Sequence, residues 1–217
     1  MEVMVNSHGT GLAAFLEVPS DPRGLIIFAH GSGSGRFSDR NQFVARVLRK
    51  QRFATLLIDL LTEEEAADRA NVFDIALLAD RLTGARDWAL AQPGLEDLFV
   101  GYFGASTGGG AALRAAAASP DRVDAIVSRG GRPDLAGDSL KSVNVPTLLI
   151  VGGEDEVVID LNRKAMTQLR CDKEMQIIPG ATHLFEEPGK LEIVADMAAD
   201  WFEVHVSHPA RASRQGA

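Results

Sequence analysis

Short, almost wholly apolar runs recur along the chain and are separated by glycine-rich or polar residues. The five clearest are Leu25–Ala29, Thr55–Ile58, Leu98–Phe103, Ala125–Val127 and Thr147–Val151. Runs that are apolar at every position are typical of strands buried on both faces of a parallel sheet. Ahead of them, Val3–Val5 and Gly11–Val18 flank a turn at His8-Gly9 and predict two antiparallel strands.

Longer segments between these runs carry apolar residues at helical spacing. They are Asn41–Arg49, Phe73–Leu90, Gly109–Ala118, Leu161–Leu169 and Lys190–His205. In the second segment, apolar residues recur at i, i+3, i+4 and i+7 from Ile75 to Leu82, which places them on one face of a helix. Strands that alternate with helices through right-handed crossovers predict an α/β fold, with a mostly parallel central sheet and helices on both faces.

The length of the chain fits a single domain, because 217 residues support one hydrophobic core more readily than two. Hydrophobic residues make up 46% and charged residues 24%, so the chain has enough apolar surface to fold without disulfides. We therefore expect one domain over residues 1–206. Residues 207–217 are small and polar, and are predicted to form a flexible C-terminal tail.

Charge and composition argue against several classes of partner. A net charge of -8 disfavours nucleic-acid binding, which needs a basic surface. No apolar run approaches the ~20 residues that cross a bilayer, and the amino terminus lacks the pattern of a signal peptide. The only cysteine, Cys171, cannot form an internal disulfide. We therefore expect a soluble cytoplasmic protein, a monomer or a homodimer, that binds neither nucleic acid nor membranes.

The strongest chemical signal is the motif G-x-S-x-G, which spans Gly104 to Gly108 between a predicted strand and a predicted helix. A sharp strand-to-helix turn strains the backbone of the central serine, and glycine at the flanking positions avoids clashes with the neighbouring elements. Such a turn exposes Ser106 above the sheet at a helix N-terminus, where developing negative charge is stabilised. Ser106 is therefore the predicted nucleophile, and simple helix capping is the alternative reading.

A glycine-rich loop, His30 to Gly35, follows the first buried strand. Such a loop can turn a backbone N–H toward the nucleophile, so we predict an oxyanion hole formed by the amides of Ser32 and Thr107. Gly31 can share that role, and Gly31 and Gly33 are candidate substrate contacts. His30 ends an apolar strand, which favours a buried, hydrogen-bonded structural histidine over a catalytic one.

The remaining candidates follow two later strands. Asp155 lies in an acidic turn after the strand that ends at Val151, where the acid of a catalytic triad is expected, with Glu154 and Glu156 as competitors. His183 lies on the loop after Met175–Ile178 and is the predicted general base. The other histidines considered are worse placed: His8, His205 and His208. No metal-binding motif occurs, so neither a metal nor another cofactor is expected.

The order Ser106, Asp155, His183, with each residue after its own strand, is typical of one class of serine hydrolase. We predict hydrolysis of a small-molecule carboxylic ester, of short acyl chain, through an acyl-enzyme on Ser106. Thioesterase, lactonase or dienelactone-hydrolase-like activity would use the same triad and stays open.

On these motifs the sequence resembles the α/β-hydrolase superfamily, and within it the small dienelactone-hydrolase-like branch and small carboxylesterases. The resemblance extends from Leu12 to about Val204 and includes the segments Asp59-Leu60-Leu61 and Ser128–Pro133. It implies an α/β-hydrolase fold, and the short connection between Ser128 and Val145 implies that no cap domain is present. Dienelactone hydrolases carry a cysteine nucleophile where this chain has Ser106, so dienelactone itself is not the expected substrate.

Two features of the predicted site leave alternatives open. Arg129 and Arg132 follow a strand near the predicted pocket, where either could bind a substrate carboxylate, pair with Asp155, or form a structural ion pair. Gly31 to Gly35, with Asp59 after the next strand, partly resembles a dinucleotide-binding loop, but the third glycine of that fingerprint is replaced by Arg36. A nucleotide-binding or non-catalytic α/β protein is therefore the rival class.

Overall fold

The structure, a computed structural model, describes residues 1–206, and the predicted C-terminal tail over 207–217 lies outside the described residues. One sheet in the order β1-β2-β4-β3-β5-β6-β7-β8 organises the chain. Its strands are β1 (Glu2–Ser7), β2 (Thr10–Glu17), β3 (Gly24–Ala29), β4 (Phe53–Ile58), β5 (Phe99–Ala105), β6 (Ala125–Arg129), β7 (Thr147–Gly152) and β8 (Lys173–Ile178).

The strand directions match those predicted from the apolar runs. β2 pairs antiparallel with both β1 and β4, and every later pairing is parallel. The predicted start of the last strand, Met175, is two residues late because β8 begins at Lys173. β8 is an edge strand of the sheet, so all of its residues except Ile178 are at least partly exposed, and the apolar run there is short.

Helices cover both faces of the sheet, as predicted. Their bounds are α1 (Asp39–Lys50), α2 (Glu63–Ala67), α3 (Arg69–Val72), α4 (Ile75–Leu90), α5 (Thr107–Ala118), α6 (Glu156–Gln168) and α7 (Lys190–Val206). α1 and α7 pack together with one buried cluster, and α4 and α5 pack with another on the opposite face. Because the strands from β3 to β8 run parallel, their carboxyl ends lie at one edge of the sheet, between the two helix layers.

Some helix boundaries differ from the predicted ones, two of them for clear local reasons, and one helix lies outside the predicted segments. α1 begins at Asp39 because the Ser38 hydroxyl caps it, 3.4 Å from the amide nitrogen of Asn41. α6 begins at Glu156, five residues before the predicted start, with an acidic residue in its first turn. α2 was not predicted as a separate helix, and begins at Glu63 in a capping box between Thr62 and Glu65.

The connection from β6 to β7 contains only the 3-10 segment Pro133–Ser142, which is kinked at Gly137, so no separate cap domain is inserted between these strands. This segment packs on α5 and α6 at the side of the sheet. The carboxyl edge near β5 and β6 is therefore uncovered by any inserted helix. Across residues 1–206, no helix combines the length and the apolar character needed to cross a membrane.

Candidate active site

Ser106 lies in a strained turn between β5 and α5. Its backbone has φ 50° and ψ -121°, a left-handed conformation that is unfavourable for a residue with a side chain. The Ser106 amide donates to the Arg129 carbonyl (3.3 Å), and its carbonyl accepts from the amides of Gly109 (3.0 Å) and Arg132 (2.9 Å). These hydrogen bonds to the end of β6 and to α5 maintain the strained conformation.

The glycines of the G-x-S-x-G motif are required by close packing around this turn. A Cβ atom at Gly104 would lie 2.6 Å from the Gly108 carbonyl oxygen and from Gly109 Cα. A Cβ atom at Gly108 would lie 2.0 Å from the Ala29 carbonyl oxygen at the end of β3. No side chain fits at such distances, so α5 approaches β5 and β3 closely only because these positions are glycine.

The His30–Gly35 loop lies directly against Ser106. A Cβ atom at Gly31 would be 2.9 Å from Ser106 Cβ and 3.1 Å from the Ala105 carbonyl oxygen. The His30 ring fixes the start of the loop, because its Nδ1 is 2.9 Å from the Gly31 carbonyl oxygen and its Nε2 accepts from the Leu60 amide at 3.0 Å. Burial lowers the pKa of His30, which favours the neutral ring that Nε2 needs in order to accept from the Leu60 amide.

Both residues of the predicted oxyanion hole line one cleft. The cleft has a volume of about 730 Å³ and is lined by Ser32 and Thr107 together with Gly31 and Gly33, the two predicted substrate contacts. Thr107 is the first residue of α5, whose initial amides have no acceptor within the helix. The Thr107 side chain is 3% exposed, and its hydroxyl oxygen is buried without a hydrogen-bond partner within the described chain.

The predicted acid and base are in direct contact. Nδ1 of His183 lies 2.6 Å from Oδ2 of Asp155, which immediately precedes α6. The competitors Glu154 and Glu156 are exposed, whereas the Asp155 side chain is 16% exposed and that of His183 is 37% exposed. The contact therefore favours Asp155 over its two acidic neighbours as the partner of the ring.

The loop that carries His183 packs closely on the end of β7. A Cβ atom at Gly152 would lie 2.5 Å from the carbonyl oxygens of Ala181 and Thr182, and the Glu154 amide donates to the Ala181 carbonyl at 2.9 Å. The Thr182 amide donates to the Glu187 carboxylate at 3.1 Å. Backbone contacts on both sides thus fix the position of the histidine loop.

Ser106 and His183 both lie close to the end of β6, Ser106 at Arg129 and His183 at Gly130. A Cβ atom at Gly130 would lie 3.5 Å from Cε1 of His183, and the preceding residue, Arg129, accepts the Ser106 amide. Among the hydrogen bonds of residues 1–206, none joins Ser106 Oγ to the His183 ring. Such contacts are often long in unliganded hydrolases and tighten when substrate binds.

The two arginines after β6 have different environments. Arg132 forms two hydrogen bonds of 2.8 Å with Asp134, which is the structural ion pair considered from the sequence. Arg129 pairs neither with Asp155 nor with any other carboxylate of the described residues. It is 5% exposed and is not among the residues that line the cleft.

An ion pair beside the cleft was not predicted. The Asp59 carboxylate accepts from the Arg36 amide at 2.6 Å and also pairs with the Arg36 guanidinium. A Cβ atom at Gly35 would lie 2.6 Å from Asp59 Oδ1, so the carboxylate fills the inside of this turn. In the alternative nucleotide-binding interpretation, Asp59 would contact a ribose. In the structure, its carboxylate fixes the loop to the end of β4. The two partners are 23 residues apart, and no sequence spacing indicates the contact.

Residues 1–206 contain no group of three or more His, Cys, Asp or Glu side chains able to bind a metal ion. Residues 12–207 match the dienelactone hydrolase family. The chain belongs to the dienelactone hydrolase family. Membership agrees with the fold, and the family is one of hydrolases, which supports an enzyme of that reaction class.

Relatives at high identity place the chain within this family. A crystal structure of a dienelactone hydrolase from Anabaena variabilis ATCC 29413 is 54% identical, with a TM-score of 0.91 over 94% of this chain and 97% of that one. A putative phosphoribosyl transferase of Mycobacterium tuberculosis H37Rv is 58% identical over 208 residues, which are 96% of this chain but 47% of that protein. The chain thus spans about half the length of this relative.

More distant structures share the fold of this dienelactone hydrolase family member. Est1E from Butyrivibrio proteoclasticus has a TM-score of 0.80 at 17% identity, over 95% of this chain and 99% of that one. An esterase domain from Rhodothermus marinus has a TM-score of 0.76 at 20% identity, over 95% and 97% of the two chains. At these identities the likeness extends to the fold alone.

Proposed function

We propose that this chain is a serine hydrolase that cleaves carboxylic esters of short acyl chain through an acyl-enzyme on Ser106. The observation that carries the proposal is the 2.6 Å contact between Asp155 and His183, at the same edge of the sheet as the strained turn of Ser106. A nucleophile on a sharp turn and a histidine oriented by a half-buried carboxylate are the parts that acyl transfer needs.

In the proposed mechanism, Nε2 of His183 accepts the proton of the Ser106 hydroxyl while Oγ attacks the ester carbonyl carbon. The amides of Ser32 and Thr107 donate to the resulting oxyanion. The tetrahedral intermediate collapses, the C–O bond to the alcohol breaks, and the His183 imidazolium protonates the leaving alkoxide. Asp155 accepts the Nδ1–H throughout, which fixes the tautomer and stabilises the imidazolium.

Deacylation repeats the same steps with water. His183 accepts a proton from water, the hydroxide attacks the acyl carbonyl, and Ser106 leaves with the proton returned by His183, so that a carboxylic acid is released. Gly31 supports the proposed role of its loop in the oxyanion hole, because its lack of a side chain lets the loop approach Ser106 within van der Waals contact. Gly33 lines the cleft and remains a candidate substrate contact, whereas Arg129 is buried outside the cleft and is not proposed as one.

A short acyl chain is proposed because no inserted cap covers the cleft. A long acyl chain binds best where apolar walls enclose it, and here the cleft beside Ser32 and Thr107 is lined mostly by polar residues and glycines. Thioesters and lactones would react through the same residues. The name phosphoribosyl transferase belongs to a relative about twice as long, so we propose no transferase activity for this chain.

The proposal is tested by hydrolysis of p-nitrophenyl acetate, butyrate and decanoate by the wild type and by Ser106→Ala. Ser119→Ala, at the other end of α5, is the matched control. We expect the wild type and S119A to prefer acetate and butyrate, and S106A to lose about 10³-fold or more in kcat. Full activity of S106A would show that Ser106 is not the nucleophile, and a preference for decanoate would reject the short acyl chain.

Rates on a thioester and a lactone, measured side by side with the best ester, rank the alternative activities. Saturable binding of NAD by a wild type that hydrolyses none of these substrates would favour the nucleotide-binding class instead.

A further inference from the structure

Arg129 carries a buried charge that no acidic side chain of the described residues neutralises. It is 5% exposed, and its closest hydrogen-bonding contact is a long one, 3.5 Å from its guanidinium to Oδ1 of Asn41. Its Nε–H is buried without an acceptor in residues 1–206. Buried charges in proteins are normally paired, because an isolated ion loses its hydration without compensation.

A second arginine adds to this excess of positive charge. Arg40, in the first turn of α1, pairs through one nitrogen with Glu186 at 3.0 Å, and the Glu186 side chain is 62% exposed. The Nε–H of Arg40 is also buried and lacks an acceptor among the described side chains. Burial, with a smaller contribution from the charge of Arg40, lowers the pKa of Arg129 to about 10. Among the described residues, only Arg40 of this pair has a carboxylate partner, and that partner is exposed.

We infer that Arg129 and Arg40 form a binding site for one small monovalent inorganic anion, of the halide class, between the first turn of α1 and the loop that carries His183. The charge count selects a monovalent ion, because two guanidinium groups and one carboxylate leave one positive charge. Arg40 lines the cleft and Arg129 does not, but Arg129 contacts Asn41, the residue that follows Arg40, so the inferred ion lies between the wall of the cleft and Arg129.

The position of this site gives the ion a structural effect. Phe185 packs beside Arg129, whose guanidinium carbon is 5.9 Å from the ring centroid, and both Phe185 and Glu186 belong to the His183 loop. An anion bound to both arginines would therefore join α1 to that loop and stabilise the folded chain. This inference does not depend on ester hydrolysis, because its readout is thermal stability.

The test is the melting temperature, Tm, in sodium chloride against sodium gluconate at constant ionic strength. We expect a saturable rise of roughly 5–10 °C in Tm at a chloride concentration 100 times its dissociation constant. Arg129→Met should remove the rise, and Arg40→Met should weaken the apparent affinity for chloride at least tenfold. Arg163→Met is the matched control, since it removes an exposed arginine on α6 and should keep the rise.

A crystal of the wild type grown in bromide checks the same site without any variant. An anomalous peak within hydrogen-bond distance of Arg129 Nε would support the inference even if R129M failed to fold. A wild-type Tm that is the same in chloride and gluconate would overturn it, as would an R129M variant that kept the full chloride dependence, or a bromide crystal without a peak at Arg129.

Discussion

Oδ2 of Asp155 lies 2.6 Å from Nδ1 of His183, across 28 residues of sequence. At this distance the carboxylate accepts the Nδ1–H, which leaves Nε2 as the nitrogen that accepts the Ser106 proton in the proposed mechanism. The contact joins the end of β7 to the loop after β8, two neighbouring strands of the sheet.

Replacing Asp155 by Asn should leave the fold intact but favour the wrong tautomer of His183. We expect kcat on p-nitrophenyl butyrate to fall by about 10³- to 10⁴-fold with little change in KM. Glu154→Gln, one residue earlier and exposed, is the control and should keep near wild-type kcat. If D155N retained most of its activity, the orienting role of Asp155 would have to be abandoned.

Because Gly31 lies so close to Ser106, replacing Gly31 by Ala should lower the rate of hydrolysis. The added Cβ, 2.9 Å from Ser106 Cβ, should move the loop away from the nucleophile and lower kcat/KM by about 10²-fold. Gly11→Ala is the control, because a Cβ there makes only ordinary contacts at 3.4 Å or more with the Met4 side chain. Equal rates for G31A and the wild type would contradict the placement of the loop.

Removing the Thr107 hydroxyl should stabilise the folded chain. A buried hydroxyl without a partner is unfavourable, so Thr107→Val should raise the free energy of unfolding by about 1–2 kcal/mol in urea titrations. Valine keeps the backbone amide, to which the oxyanion role is assigned, so kcat should stay within a few-fold. The control is Thr167→Val, whose hydroxyl already donates to the Lys164 carbonyl at 2.8 Å and whose loss should bring no gain.

Titration of His30 should contribute to the pH dependence of the free energy of unfolding. Burial lowers its pKa in the folded chain below the ordinary value of 6.5, so the unfolded chain binds the proton more readily. The folded state should lose stability as the pH falls below about 6.5, until the folded ring also protonates. Protonation removes the acceptor for the Leu60 amide.

Comparing Tm from pH 8 to pH 5 for the wild type and His30→Asn isolates this effect, because all other groups are shared. The wild type should lose more Tm than H30N over this range. Parallel curves would show that His30 does not titrate differently in the two states.

Most of the fold was predictable from the sequence, because strands buried on both faces of a parallel sheet consist of continuous apolar runs. β3 through β7 are buried at every position, and each was predicted near its observed bounds. β8 was predicted too short because an edge strand lacks that signal. α2 and α3 have no buried residues, so they leave no periodic pattern to find.

The candidate site was predictable where local chemistry fixes the residue, and not where tertiary packing does. The G-x-S-x-G motif predicts a strained serine, and the positive φ of Ser106 agrees with it. The choice of Asp155 among three neighbouring acids depends on where His183 lies, which the sequence alone does not determine. The burial of Arg129 likewise arises from α1 and the His183 loop, which are distant in sequence.

The short 3-10 segment Pro133–Ser142 is a site at which the substrate range of the proposed hydrolase could be changed by design. It joins β6 to β7 beside the uncovered edge of the sheet, and it is surface chain rather than part of the sheet. A pair of helices grafted between its ends would form a lid above Ser106, while the strands and the proposed reacting groups stay as they are. If the proposed hydrolysis is confirmed, such a graft would change substrate range while the proposed catalytic residues keep their places, so the two properties could be redesigned one at a time.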